Sequence, residues 1–272
     1  KWIKYICLGL TPNIDNLVIV SLSLFSFKYI NPIATGERAV ALGKYTNAEG
    51  KFSTAINYDT KAAGQKSLAV NSGTSANGTA SLATGHKTEA NGGYSTSMGN
   101  QTKANGDGAV AMGKLTEANG NYSFAQGQSS KANARFSVAM NLNNEVNGEN
   151  SAAFGSTNTI EEGANSAFTA GENNNISSSG NAVFGAKNQA SGARGFIAGQ
   201  QNETSGNISI ALGYKNKAIG NHQVVVGKLN EPTDTAVFAV GAGTETSNSD
   251  GTITENRRNL LTVDTQGFVE ID

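Results

Sequence analysis

The chain has 272 residues, enough for one or two ordinary domains, yet it carries 33 Gly and only 7% aromatic residues, so it lacks the large side chains of a thick globular core. A formal net charge of −1 excludes the basic stripe that nucleic-acid binding requires. Cys7 is the single cysteine and His86 and His222 the only histidines, which excludes a disulfide framework within the chain and a Cys- or His-built metal site; no cofactor is expected.

Residues 1–33 differ in composition from everything after them. The uncharged run over residues 16–27 is short of the roughly 18–20 residues a spanning helix needs. Val20, Leu22 and Leu24 alternate with Ser21 and Ser23, the period of a β-strand. Lys1 and Lys4 ahead of an apolar run also fit a signal peptide, although Asp15 intervenes and no small-x-small cleavage site follows. The segment reads first as a strand-like attachment segment, and Cys7 within it as a small buried hydrophobe.

From Glu37 the sequence falls into sevens, beginning ERAVALG, KYTNAEG, KFSTAIN, YDTKAAG. The frame holds unbroken through Gly155, continues for one more seven, takes two extra residues at Gly163 and Ala164, and resumes from Asn165 to Gly227. Low hydrophobicity alone fits disorder, but a strict period of this kind marks a repeat architecture. Gly in every second or third turn, with β-branched residues and few Leu, rules out the other period-seven structure, the coiled coil. Each seven therefore reads as a short strand and a turn. Position seven is Gly at Gly43, Gly50, Gly64, Gly78, Gly85, Gly92, Gly99, Gly106, Gly113, Gly120 and Gly127, and elsewhere often Asn, as at Asn57, Asn71 and Asn141. Both residues tolerate positive φ, so position seven is expected to be the turn position.

The sevens alternate, which makes the unit fourteen residues. Position five is Ala at Ala41, Ala48, Ala55, Ala62, Ala69, Ala76, Ala83, Ala90, Ala104, Ala111, Ala118 and Ala125, and position three is mainly Ser, Thr or Asn. Period-two geometry points these two positions one way and positions four and six the other. Positions three and five are thus the inside of a thin roll, where small methyls and hydroxyls stack in ladders. In the first seven of each pair, position four is apolar at Val40, Leu68, Leu82, Val110, Phe124, Val138, Phe168, Phe196 and Ile210. Position six is apolar at Met98, Met112, Met140, Phe154, Phe184 and Leu212. In the second seven the same places are polar, with Lys61, Glu89, Lys103, Glu117, Lys131 and Glu145, and Asn-Gly pairs such as Asn77-Gly78 and Asn91-Gly92 signal turns. One outer face is therefore wet and the other an apolar row too long for a monomer to leave exposed. A closed cyclic assembly buries such a row around its axis, and three chains fit a row one strand wide. With coils stacked about 4.8 Å apart, the repeats are expected to make a rod of roughly 65 Å.

The units at residues 107–113 (DGAVAMG), 149–155 (ENSAAFG) and 207–213 (NISIALG) resemble the head repeat of trimeric autotransporter adhesins, the YadA-like head, and the resemblance recurs in register over about residues 37–227. It implies a left-handed parallel β-roll, a homotrimer, and binding to a host surface or matrix. The same repeat occurs in bacteriophage tail and fibre proteins. After it, residues 257–269 (RRNLLTVDTQGFV) resemble the module that follows head repeats in phage structural proteins. Read from the residues alone, 260–264 and 268–272 are two strands joined by Thr265-Gln266-Gly267, a hairpin placed to cap the open end of the roll. No coiled-coil stalk, membrane-anchor strands or extended signal of the autotransporter type is seen.

The expectation is thus an all-β chain in three parts: the attachment segment 1–33, a left-handed β-roll of fourteen-residue coils over 34–227, and a β cap over 228–272. It is homotrimeric and not an enzyme. Its partners are itself, other virion or cell-surface proteins and a host receptor. Its location is the virion, the alternative being the bacterial outer surface. The loop at residues 247–251 lacks the spaced acidic set of a calcium loop. Arg257 and Arg258 could bind an anion but fit capping or trimer contacts better. The alternating Lys and Glu could be a ligand face but read more simply as a solvated, salt-bridged surface.

Overall fold

The structure is a computed structural model that describes residues 32–272. The attachment segment expected over residues 1–33 lies almost wholly outside the described residues. The described residues divide into two compact units, 32–129 and 130–272. Among the described residues every regular element is a strand.

In the first unit, five-residue strands alternate with two-residue strands, for example Val40–Lys44 then Asn47–Ala48, and Val110–Lys114 then Glu117–Ala118. Each strand pairs in parallel with the strand one coil later, always fourteen residues on: Val40 with Thr54, Thr54 with Leu68, Thr96 with Val110, Lys103 with Glu117. The result is a parallel β-solenoid of fourteen-residue coils. Its inside is very thin. Ala41, Ala48, Ala55, Ala62, Ala69, Ala76, Ala83, Ala90, Ala104, Ala111, Ala118 and Ala125 are fully buried. Facing them are Ser53, Thr60, Ser67, Thr74, Ser81 and Thr88, equally buried. Small residues line this interior throughout the first unit, whereas the second also buries Val146, Ile160, Ile176 and Ile197 there.

The second unit repeats this plan with two differences. At Gly163 and Ala164 the register step lengthens to sixteen, so that Ala152 pairs with Phe168 and Thr159 with Asn175. The two extra residues sit in a turn and leave both ladders intact. Inside, the narrow strands are preceded by asparagine instead of threonine: Asn144, Asn158, Asn174, Asn188, Asn202, Asn216 and Asn230 are all buried. From Asn144 to Asn216 each Oδ1 accepts from the next coil, as in Asn158 N–H to Asn144 Oδ1 at 2.9 Å and Asn188 N–H to Asn174 Oδ1 at 3.0 Å. Each Nδ2 donates to a neighbouring carbonyl, such as Gly185 O from Asn174 at 2.8 Å. A buried amide is costly unless its donors and acceptors are met, and here the repeat meets them coil after coil.

Strand Ala236–Ala242 continues the parallel ladder from Val224–Lys228 and then pairs antiparallel with Asn259–Asp264, which pairs antiparallel with Val269–Ile271. The direction of pairing thus reverses after Ala236–Ala242. The turn between the last two strands is fixed by Asp264, whose Oδ1 accepts from the Gln266 and Phe268 N–H groups at 2.8 Å each, with Gly267 at φ +85°. A second hairpin, Thr244–Ser247 with Ile253–Asn256, stands beside it.

The turns differ from expectation. Position seven is not the left-handed position in half of the units. Gly50, Gly64, Gly78, Gly92 and Gly106 lie outside the left-handed region and open β-turns, as does Gly120, whose carbonyl accepts from Ser123 N–H at 3.2 Å. They are glycine because the coils approach too closely for a side chain: a Cβ on Gly92 would stand 2.0 Å from Gly106 O. Gly43, Gly85, Gly99, Gly113 and Gly127 lie inside the five-residue strands, with φ between +107° and +128°. The true left-handed turn residue is position two, two residues past the expected one on both sides of the coil. It is held by Arg38, Tyr45, Phe52, Lys66, Ala80, Tyr94, Leu115 and Tyr122, at φ +53° to +59°.

Candidate interaction surface

The outer face of the five-residue strands carries two columns of side chains, set by the period-two pleat and by the fourteen-residue register. In the first unit one column runs Val40, Thr54, Leu68, Leu82, Thr96, Val110, Phe124, and the other Leu42, Ile56, Val70, Thr84, Met98, Met112. In the second unit the columns run Val138, Ala152, Phe168, Ala182, Phe196, Ile210 and Met140, Phe154, Ala170, Phe184, Ala198, Leu212. These side chains are half-buried by their neighbours along the column, and Leu68, Phe184 and Phe196 are 37–40% exposed. Between Ala152 and Phe196 in one column and Phe154 and Ala198 in the other, Phe and Ala alternate, and the two columns are out of phase. The phenylalanines consequently mesh in a zigzag: Phe154, Phe168, Phe184 and Phe196 stand 5.4–5.8 Å apart, centroid to centroid, at 37–49°. That is the spacing and tilt of favourable ring pairs. An apolar face continuous over many coils is far larger than scattered surface hydrophobes.

The opposite outer face, on the two-residue strands, is polar. Lys103 lies beside Glu89 at 3.6 Å, Lys217 beside Glu203 at 3.0 Å and Lys61 beside Glu49 at 3.3 Å. Such exposed pairs contribute about 0–1 kcal/mol each. The Asn of these Asn-Gly pairs forms a second, exposed ladder, with Asn77 donating to Asn91, Asn91 to Asn105 and Asn105 to Asn119 at 2.6–2.7 Å.

Arg257 is engaged within the chain. Its guanidinium donates to Lys215 O at 2.8 Å and pairs with Glu255 at 2.7 Å. Lys215 in turn pairs with Glu245, and with Glu255 at 2.7 Å, so the projecting hairpin is clamped by two cations between two carboxylates. Hydrogen bonds from Glu245 and Glu255 push the Lys215 amine upward, and the hydrogen bond from Lys215, then that from Arg257, holds Glu255 below the ordinary carboxylate range. Arg258 lies 3.8 Å from Asp272. Among the described residues no group of three or more His, Cys, Asp or Glu is placed to hold a metal ion, and no helix is long and apolar enough to cross a membrane.

The sequence reading missed two features that the structure brings together: the buried asparagine ladder and the lysine–glutamate–arginine clamp. The first had a signal, since Asn recurs at one position of the coil from Asn144 to Asn230. The second had none, since Lys215 and Glu245 are thirty residues apart, the first inside the repeat and the second beyond it.

Comparison with known families supplies one match. The model of the YadA head domain repeat fits residues 34–56, 76–100, 90–116 and 118–140. The matched stretches are similar to YadA head domain repeats. No curated protein matches the chain.

Proposed function

We propose that this chain, with its stretches similar to YadA head repeats, assembles as a homotrimer through the apolar columns of its five-residue strands and serves as the shaft of a bacteriophage tail fibre or related virion component that contacts a bacterial surface. The observation that carries the assembly is the apolar face of each unit. Val40, Val110, Met112 and Phe124 stand on that of the first and Phe154 and Phe196 on that of the second, incompletely buried in one chain and in need of a partner. Three identical faces meeting on an axis bury them all with one interface type. The attachment role follows from the absence of any need for chemistry: stacked ladders make a stiff support, and three copies of a weak surface contact add by avidity. The Asn259–Asp264 and Val269–Ile271 strands serve as the cap, since strand Ala236–Ala242 would otherwise leave an open edge.

The virion assignment is supported by the run over residues 257–269, which resembles a phage module and is paired directly onto the last parallel strand. The family match itself favours a second reading, the head of a bacterial cell-surface adhesin. Immunogold microscopy with antibody to residues 37–227 separates them. Virion labelling is expected; labelling confined to the envelope of uninfected cells moves the assignment to the adhesin. Light scattering of the purified protein is expected to give three chains, and a well-folded monomer overturns the assembly.

A further inference from the structure

The strongest irregularity in the second unit is the two-residue insertion, and it opens a recess of about 790 Å³ on the turn edge, lined by Asn147, Glu149, Glu162 and Asn165 together with Arg135. A second recess, of about 460 Å³, adjoins it at Asn165 and runs past Ser179 and Arg194 to Asn207. The two cover five coil steps, about 24 Å along the edge. We propose that this double recess binds a neutral oligosaccharide in an extended conformation.

Three observations carry the proposal. The recess offers both kinds of hydrogen-bonding group that a sugar hydroxyl needs. Glu149 and Glu162 are exposed acceptors. Asn165 and Asn207 use their Oδ1 atoms to cap the N–H groups of Glu149 and Ala193, at 2.8 and 2.9 Å, which fixes each amide and turns its Nδ2 donors outward with no partner among the described residues. Their positions are thus set before any ligand arrives, and preorganised donors cost little entropy on binding. The charge is balanced, Arg135 and Arg194 against Glu149 and Glu162, which favours a neutral ligand over a polyanion. The backbone here is already paired coil to coil, as in Ser166 N–H to Glu149 O and Arg194 N–H to Ser179 O at 2.9 Å, so no strand edge is open for an added peptide.

The proposal deepens the attachment reading by naming the class of surface ligand, and its test is independent of where the protein resides or how many chains assemble. The full chain is titrated calorimetrically with chitohexaose, cellohexaose and maltohexaose. Binding of at least one is expected. The double substitution Asn165→Asp, Asn207→Asp keeps the capping oxygens and removes the outward donors; it is expected to weaken that binding about tenfold with the melting temperature unchanged. Glu162→Gln, on an exposed side chain, is expected to weaken it about threefold. Binding of none of the three sugars overturns the proposal, as does affinity unchanged by both variants. Binding of gelatin alone, lost in the double variant, overturns it in favour of an extended peptide.

Discussion

Ala80 sits at φ +53° and Tyr94 at φ +58°, a region that costs an L-residue about 1–2 kcal/mol. They are kept there by the ladder: Ala80 N–H donates to Gln65 O and Tyr94 N–H to Thr79 O, at 2.7 Å each, so the pairing of coil with coil runs straight through the turn. The usual sign of a glycine substitution should therefore invert. Ala80→Gly is expected to stabilise by about 0.5–1 kcal/mol in equilibrium denaturation, although Gly for Ala ordinarily destabilises. Gly92→Ala is expected to cost about 3 kcal/mol, because its Cβ would meet Gly106 O at 2.0 Å, backbone that cannot move without breaking the ladder. Gly163→Ala meets nothing within 4 Å and loses only the left-handed preference, about 1 kcal/mol. These residues show what a sequence conceals. Gly and Asn at position seven look like turn chemistry, and the real turn residue is invisible because Tyr, Phe, Lys and Leu are the types least expected at positive φ. The glycines answer instead to the close approach of one coil to the next.

At the scale of the element, the two units solve one problem in different ways. The threonines of the first unit present Oγ1 atoms that are buried and unpaired at Thr60, Thr74 and Thr88. The asparagines of the second are bonded at every atom. Asn174→Ala is expected to lower stability by about 3 kcal/mol, since it leaves Asn188 N–H and Gly185 O without partners, whereas Thr88→Val should be neutral or slightly stabilising. Thermal denaturation of the two variants checks both. Inside and outside could be read from the period of two within the period of seven, because alternation decides burial in any strand. The ladder showed only as Asn recurring at position three, and which groups its amides bond could not be read, because the register that sets those partners belongs to the folded roll. The clamp at Lys215 makes a pH prediction. Glu255 is held below its ordinary value, so its stabilisation is present above the unfolded carboxylate pKa of about 4.3 and is lost as pH falls through the lower folded value. The hairpin of residues 244–256 is expected to loosen below about pH 4, seen as sharpening of its amide resonances, and Lys215→Met should reproduce this at neutral pH.

For the whole molecule, the proposed trimer places opposite demands on the two outer faces of one coil. Val110→Asp should abolish trimers in light scattering, because it sets a desolvated charge among apolar columns. Lys103→Asp, on the wet face beside Glu89, should leave the assembly intact and change melting by no more than about 1 kcal/mol. Equal losses would mean that the faces are assigned the wrong way round. The constant register has one more consequence. A deletion or duplication of fourteen residues returns every side chain to an equivalent neighbour, while any other length must be absorbed in a turn, as the two residues Gly163 and Ala164 are. Each such module adds one strand spacing of about 4.8 Å, against roughly 3.3 Å for every single residue of an extended chain. Length in this protein can therefore change by whole coils through unequal recombination, without a new core, a new interface or a new fold to select, and reach becomes a trait that drifts in fixed increments.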